Sequence, residues 1–544
     1  MLFHSRAFLL VFLPLCLAGF FLIGHNRGPL WAVRWLIAAS LVFHGWWDPR
    51  FVPLLVGSIL VNHALARGIR ALCRAGEIRA ARRYLTGGIV LNLAVLAWFK
   101  YADFALAMFA PDRAPLDLAL PLAISFFTFQ QIMVLMDAHA HPDRDTGLSH
   151  AAAFIAFFPH LIAGPLVRPG EIIPQLRSRE LATPRMENIT AGLVLLLLGL
   201  GKKLVLADLF GGFADTGFDA AASGAALTFF EAWYATLAYA LQIYFDFSGY
   251  SDMAVGLARM MNVRFPRNFD SPYQAADIGA FWRRWHITLG DFLRDHVYIP
   301  LGGSRAGTGQ RIVNLMVTML LCGLWHGAAW RFVLWGGLHG LFLAIHVMFR
   351  QIGTGHRKRR PDEPFPRHPL ARQGEPARHG AGWGDPVEPG HGEERRMGHS
   401  TEPASRAFPP SLARALARAL TLFAVVVAWV PFRAGDLDIA WSMLRAMAGA
   451  NGIALPAMIV GFCPPLAWIA TAVPVLPHLG DARTLSFPET SACLCLGWFI
   501  VLALPNLHTM SERARVRALT AGFAFTVQAL FFAPRVAPFL YFQF

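Results

Sequence analysis

The chain has 544 residues, of which 55% are hydrophobic and only 15% charged. A soluble domain carries about a quarter charged residues, so the composition excludes one and points to helices that each need about 20 apolar residues to cross a membrane core about 30 Å thick. On a soluble protein the formal net charge of +14 would suggest nucleic acid. Here Lys and Arg read as anchors of cytoplasmic loops, and no nucleic-acid partner is expected.

Apolar runs that reach or approach a span occur at Ala7–Gly24, Leu30–Trp47, Thr86–Phe99, Leu116–Met136, Ala191–Phe210, Leu227–Phe245, Leu412–Val430 and Ala518–Ala533. They are continuous, without the alternation of barrel strands, so helices are expected. The expectation is an all-α polytopic membrane protein with eleven to thirteen spans, plus interfacial and re-entrant helices. The N-terminal run lacks a strongly basic start and a small-x-small cleavage site, and reads as an uncleaved first span. The six cysteines form no Cys-x-x-Cys pair and read as packing residues, with neither a disulfide framework nor a metal site.

Along the chain, Arg67, Arg70, Arg74, Arg79, Arg82 and Arg83 form a basic cluster that places its loop in the cytoplasm. Phe157–Leu176 carries Pro159, Pro165, Pro169 and Pro174, which break any long helix. Broken backbone at membrane depth is tolerated only inside protein or along a cavity. From Ser248 to Gln310 the apolar pieces are short and arginines frequent, as in helices that lie in the interface or dip into the membrane. Three regions follow: a core over 1–352, a disordered cytoplasmic loop over 353–410, rich in Pro, Gly, Arg and Glu, and further helices of the same core over 411–544. Histidines in the loop lack ligand spacing, so no metal is expected.

Chemistry concentrates in three stretches. In LLCGLWHGAAWRFVLWGGLHG, His326 lies within an apolar run, where an ionisable group is a functional candidate by default. Gly323 and Gly327 beside it remove bulk. On the residues alone a general base and a neutral histidine bonded to a carbonyl stand even. His339, more than three turns on, would lie about 20 Å away on one continuous helix and reads as structural. In FWRRWHITLGDFLRDHVYIPLGG, a helix would put Trp282 and His286 on one face, and Arg294 would pair with Asp291 or Asp295. Alone, this block reads best as an interfacial helix with snorkelling arginines. Asp246, Ser248, Tyr250, Ser251 and Asp252 would either line a polar entrance or cap a helix starting near Ser251.

These stretches, with LPLAISFFTFQ, FFPHLIAGPLVRP, GLGKKLVLAD, QIYFDFSGYSDMAVGLARM, WVPFRA and the ending FLYFQF, resemble the membrane-bound O-acyltransferase family in its bacterial alginate O-acetylation branch. The likeness covers the chain except the insert between Gly353 and Pro410. It implies many helices around a central tunnel that joins a cytoplasmic entrance for an acyl donor to an acceptor entrance on the opposite face. It implies that His326 is catalytic and that His286 lines the donor side, positioning or hydrogen bonding there. Arg283, Arg284 and Arg294 become candidates for the phosphates of a donor such as acetyl-CoA, a substrate and not a bound cofactor. The resemblance further implies an inner-membrane, multi-pass O-acetyltransferase that serves an exported polysaccharide such as alginate through periplasmic acetyltransferase partners. Two alternatives are D-alanyl or other acyl transfer from a carrier protein to a cell-envelope polymer, and an acyl-group transporter without chemistry. The transporter is disfavoured because no internal repeat is visible.

Overall fold

Gly28, at a φ of 90°, turns helix α1 (Leu13–Arg27) back into α2 (Pro29–Gly45). This computed structural model describes residues 1–305, 307–353, 410–456, 471–473, 487–532 and 539–540. The expected loop over 353–410 lies, its two end residues aside, outside the described residues. Helices α3 (Val52–Arg74), α4 (Ile78–Phe109) and α5 (Ile124–Ala140) pack as a neighbouring group. Then come α6 (Leu148–Ala156), α7 (Phe158–Leu161) and α8 (Pro169–Leu176), with the residues from Phe157 to Val167 buried. The proline-broken backbone is thus held inside protein, as its composition requires.

Helix α11 (Phe229–Met260) is the axle. It has 32 residues, most of them buried, and packs on α9 (Met186–Gly201) and α10 (Asp208–Ala222). The α9–α11 contact is close because glycines face each other's backbone: a Cβ on Gly199 would stand 2.6 Å from the Gly249 carbonyl oxygen, and one on Gly192 would stand 2.5 Å from that of Gly256. Small residues let helix backbones approach where burying apolar surface drives little association.

No helix begins near Ser251, because α11 runs straight through it. Its carboxylates therefore cap no helix start there. Asp246 takes an ion pair from Lys203 at 2.7 Å, and Asp252 takes one from Lys202 at 2.6 Å and a hydrogen bond from His508 at 2.8 Å. Both lysines stand on a π-helical turn, Lys202–Ala207, between α9 and α10. The charges are neutralised inside the bundle, which lets the helix continue.

Among the described residues, six helical segments are long and apolar enough to cross a membrane: Phe8–Arg27, Pro49–Arg74, Ile78–Phe109, Met186–Ala222, Trp330–Gln351 and Leu412–Arg433. The sequence expectation, counted by hydropathy and length over the whole chain, is eleven to thirteen, whereas these six are the helices of the described residues that meet both length and apolarity. Helices α2 and α5 have only 17 residues each, and α11 carries Glu231, Asp246, Asp252 and Arg259. A parallel pair of three-residue strands, β1 (Ala454–Pro456) and β2 (Thr471–Val473), is the only sheet among the described residues. The molecule is an all-α polytopic membrane protein.

Candidate active site

Chain reversal brings the candidate histidines together. Helix α14 (Gly307–His326) ends at His326, and α15 (Trp330–Gly353) starts four residues later and packs back along it. His326 and His339 are therefore not spaced along one helix. Both pack on Trp335, with ring centroids at 5.0 and 4.8 Å. Gly323 and Gly327 serve this hairpin rather than a substrate. A Cβ on Gly323 would collide with the Phe332 carbonyl, and one on Gly327 would collide with the Phe332 ring.

Where α14 ends, its last carbonyls have no partner within the helix. Helix α4 supplies one. Lys100 Nζ donates to the carbonyls of Trp325 at 2.5 Å and His326 at 3.2 Å, and Tyr101 Oη donates to Leu324 O at 2.8 Å. A cation at a helix C-terminus is also favoured by the helix dipole. Lys100 escaped the sequence reading, although a lone lysine inside the apolar run of α4 was a signal for it.

Around the His326 imidazole stand Trp325, Trp335 and Phe432, at centroid distances of 4.9, 5.0 and 5.1 Å. Phe432 belongs to α16 (Pro410–Arg433), so a helix from beyond the insert helps to build the site. Arg331 fastens that helix by donating to Phe432 O at 3.1 Å and Ala434 O at 2.5 Å. Beside His326 opens a small cavity of about 50 Å³, lined also by Lys100, Ala123, Ser125 and Ile162, room for one or two waters. Ala123 sits at a φ of 68°.

His286 is not helical. It takes a left-handed φ of 44° between α12 (Ile278–Trp282) and α13 (Ile287–Leu293). Trp282 and His286 therefore do not share a helix face. Trp282 turns to Trp335 and His339, at 5.8 and 5.1 Å, and His286 turns to Phe247, at 4.6 Å. Such a backbone costs about 1–3 kcal/mol and persists only where its surroundings over-determine it. Asn268 does so. Its Oδ1 lies 3.1 Å from His286 Nδ1 and accepts from Thr288 Oγ1 at 3.0 Å, and its backbone carbonyl accepts from Ile287 N at 2.9 Å. Thr288 Oγ1 in turn accepts from Leu166 N at 2.9 Å, tying in the broken segment. No motif marks Asn268 in the sequence.

Trp325 packs on both candidate imidazoles, 4.9 Å from His326 and 6.2 Å from His286 by ring centroid. The sum of these distances is the upper bound on the separation of the two rings. Trp325 is itself stacked on Phe129, which stacks on Phe292.

The three arginines part company. Arg294 pairs with Asp291 at 2.8 Å and Asp295 at 2.7 Å, as the spacing led one to expect, and Arg168 joins at Asp295. Arg283 is half-buried and reaches Asp277 only at 4.0 Å, and Arg284 is half-buried.

The comparisons with known proteins agree with this architecture. Residues 88–363, which contain His286 and His326, match the family model for the membrane-bound O-acyltransferase family. The chain is 36% identical to the peptidoglycan O-acetyltransferase of Helicobacter pylori, over 84% of this chain and 81% of that one. It is also 36% identical to the probable alginate O-acetylase AlgI of Pseudomonas aeruginosa, over 82% and 75%. A more distant relative, the teichoic acid D-alanyltransferase of Streptococcus thermophilus, is 27% identical over 41% of this chain and 56% of its own. The matched span, the extent of these identities and the helical membrane architecture together place the chain in the membrane-bound O-acyltransferase family.

Proposed function

We propose that the protein passes acetyl groups from a cytoplasmic donor, acetyl-CoA, across the cell inner membrane for O-acetylation of an exported polysaccharide, with His326 as the base. The observation that carries this reading is the pair of buried histidines that both pack on Trp325, with a small cavity lined by Trp325 and His326. His326 accepts the proton of the attacking hydroxyl. The hydroxyl oxygen bonds to the acetyl carbon as the thioester C–S bond breaks, and the proton passes to the departing thiolate. His286, fixed by Asn268, positions or hydrogen-bonds the donor end. Of the basic residues named for donor phosphates, Arg283 and Arg284 are better suited than Arg294, whose guanidinium is already engaged by two carboxylates.

Acetyl is favoured over D-alanyl because the O-acetyl-transferring relatives match more of the chain at higher identity. Their names point to alginate and peptidoglycan as acceptor classes, and we propose that partner proteins complete the transfer in the periplasm. The test is the O-acetyl content of the exported polymer, by proton NMR, in a deletion strain complemented with wild type or His326→Ala. Only wild type should restore acetyl groups, with the variant present in the membrane. Restoration by the variant would sink the role of His326. No change in either strain would bring forward D-alanyl transfer.

A further inference from the structure

A second polar site lies away from the histidines, at the end of α3. His63, Arg67, Arg70 and Arg74 line a cleft of about 720 Å³, together with Asp145 and Gly147. None of these residues lines the cavity at His326. We propose that this cleft binds a phosphate-bearing anion presented from the cytoplasmic side.

Arg70 carries the argument. It is only 2% exposed, yet its Nε and Nη1 have no hydrogen-bond partner among the described residues. A buried charge left without a partner is costly. Arginines that merely hold topology need no burial, since they do that work from solvent. Two carboxylates act on Arg70 through space, Asp137 and Asp145, and no hydrogen bond joins either to its Nε or Nη1. Asp137 is engaged by His141 at 3.2 Å and Arg144 at 3.7 Å. Three arginines in the cleft thus face one carboxylate, Asp145. Arg70 also lines the cleft, and a guanidinium is a favoured partner for the oxygens of a phosphate.

A second observation points the same way. Helix α6, nine residues long, begins at the cleft with Gly147 as its N-cap and no side chain capping it. Its first amides and its dipole favour an anion there. The neighbouring Arg79, Arg82 and Arg83 put this end of α3 at the cytoplasmic face by charge bias. A phosphate can arrive there from an anionic phospholipid headgroup or on a soluble molecule. The site does not depend on which acyl group the enzyme transfers.

The test uses the full chain purified in detergent, as wild type, Arg70→Gln and Arg67→Gln. One arm titrates inorganic pyrophosphate and follows the shift in Tm. The other counts phosphatidylglycerol retained from mixed phosphatidylcholine–phosphatidylglycerol nanodiscs by native mass spectrometry. Wild type should bind in at least one arm, and each variant should bind about tenfold more weakly or worse, the loss expected for a charged hydrogen bond. Lipid binding alone assigns a headgroup, and pyrophosphate binding alone assigns a soluble ligand. If Arg70→Gln is not monodisperse, Arg67→Gln carries the comparison, since Arg67 is exposed on the rim. Equal binding by wild type and variants, or no binding in either arm, overturns the proposal.

Discussion

Asn268 is a small residue with a large geometric duty. It holds His286 and the two residues after it through side-chain and backbone acceptors. Replacing it by Leu should release the left-handed backbone and move the imidazole. The expected result is a fall in kcat of at least tenfold with the protein still folded in the membrane, measured as acetyl transfer per unit of membrane protein. His286→Asn keeps a short polar side chain at the same backbone position, and should lose less activity than His286→Ala if the role is positioning. Equal losses would argue for proton transfer at His286. Lys100→Met removes the cation that serves two terminal carbonyls of α14. Leaving buried acceptors unmet costs about 1–3 kcal/mol, so this variant should show a lower Tm in detergent as well as lower activity. Of these residues only His286 and His326 were legible in the sequence, through their motifs. Lys100 carries a signal, a lysine in an apolar run, and Asn268 carries none, because its partners lie 18 to 20 residues away.

At the scale of the element, the α14–α15 hairpin decides whether the site exists. Gly323 and Gly336 face the partner helix so closely that a Cβ at either would meet a backbone carbonyl, of Phe332 and of Met319 respectively. Backbone cannot step aside as a flexible side chain can. Gly323→Ala should therefore splay the hairpin and abolish monodisperse protein in size-exclusion chromatography. Gly337→Ala is the contrast, since its Cβ would meet only the end of Leu320 at 3.6 Å, an ordinary contact. That variant should express and elute like wild type. The sequence showed glycines beside His326 but not their use. The same small residue makes room for a ligand or for a helix, and only the packing partner distinguishes the two.

Across the whole molecule, buried ion pairs fasten the late chain to the central helix. Lys203 joins Asp246 to Asp208, and Asp246 also accepts from Leu540 N at 3.0 Å. Lys202 and His508 meet on Asp252. Removing one partner of a buried pair costs about 3–5 kcal/mol, whereas replacing both with apolar groups is often near neutral. Asp246→Ala should therefore destabilise strongly, while the double change Lys203→Met with Asp246→Leu should recover part of the loss, compared by Tm in one detergent. By itself the sequence determined the class of molecule. Continuous apolar runs in a chain with 15% charge have few physical solutions in lipid, because every backbone group must find its partner within a helix or barrel. It also determined which histidines to consider, since ionisable groups are rare in such runs. Tertiary structure alone decided which of them meet. That Trp325 and Trp335 join His286, His326 and His339, and that Phe432 arrives from beyond the insert, follows from a chain reversal after His326, a left-handed residue at 286 and helix packing. Those are contacts between distant positions, and the local periodicity of a sequence does not carry them.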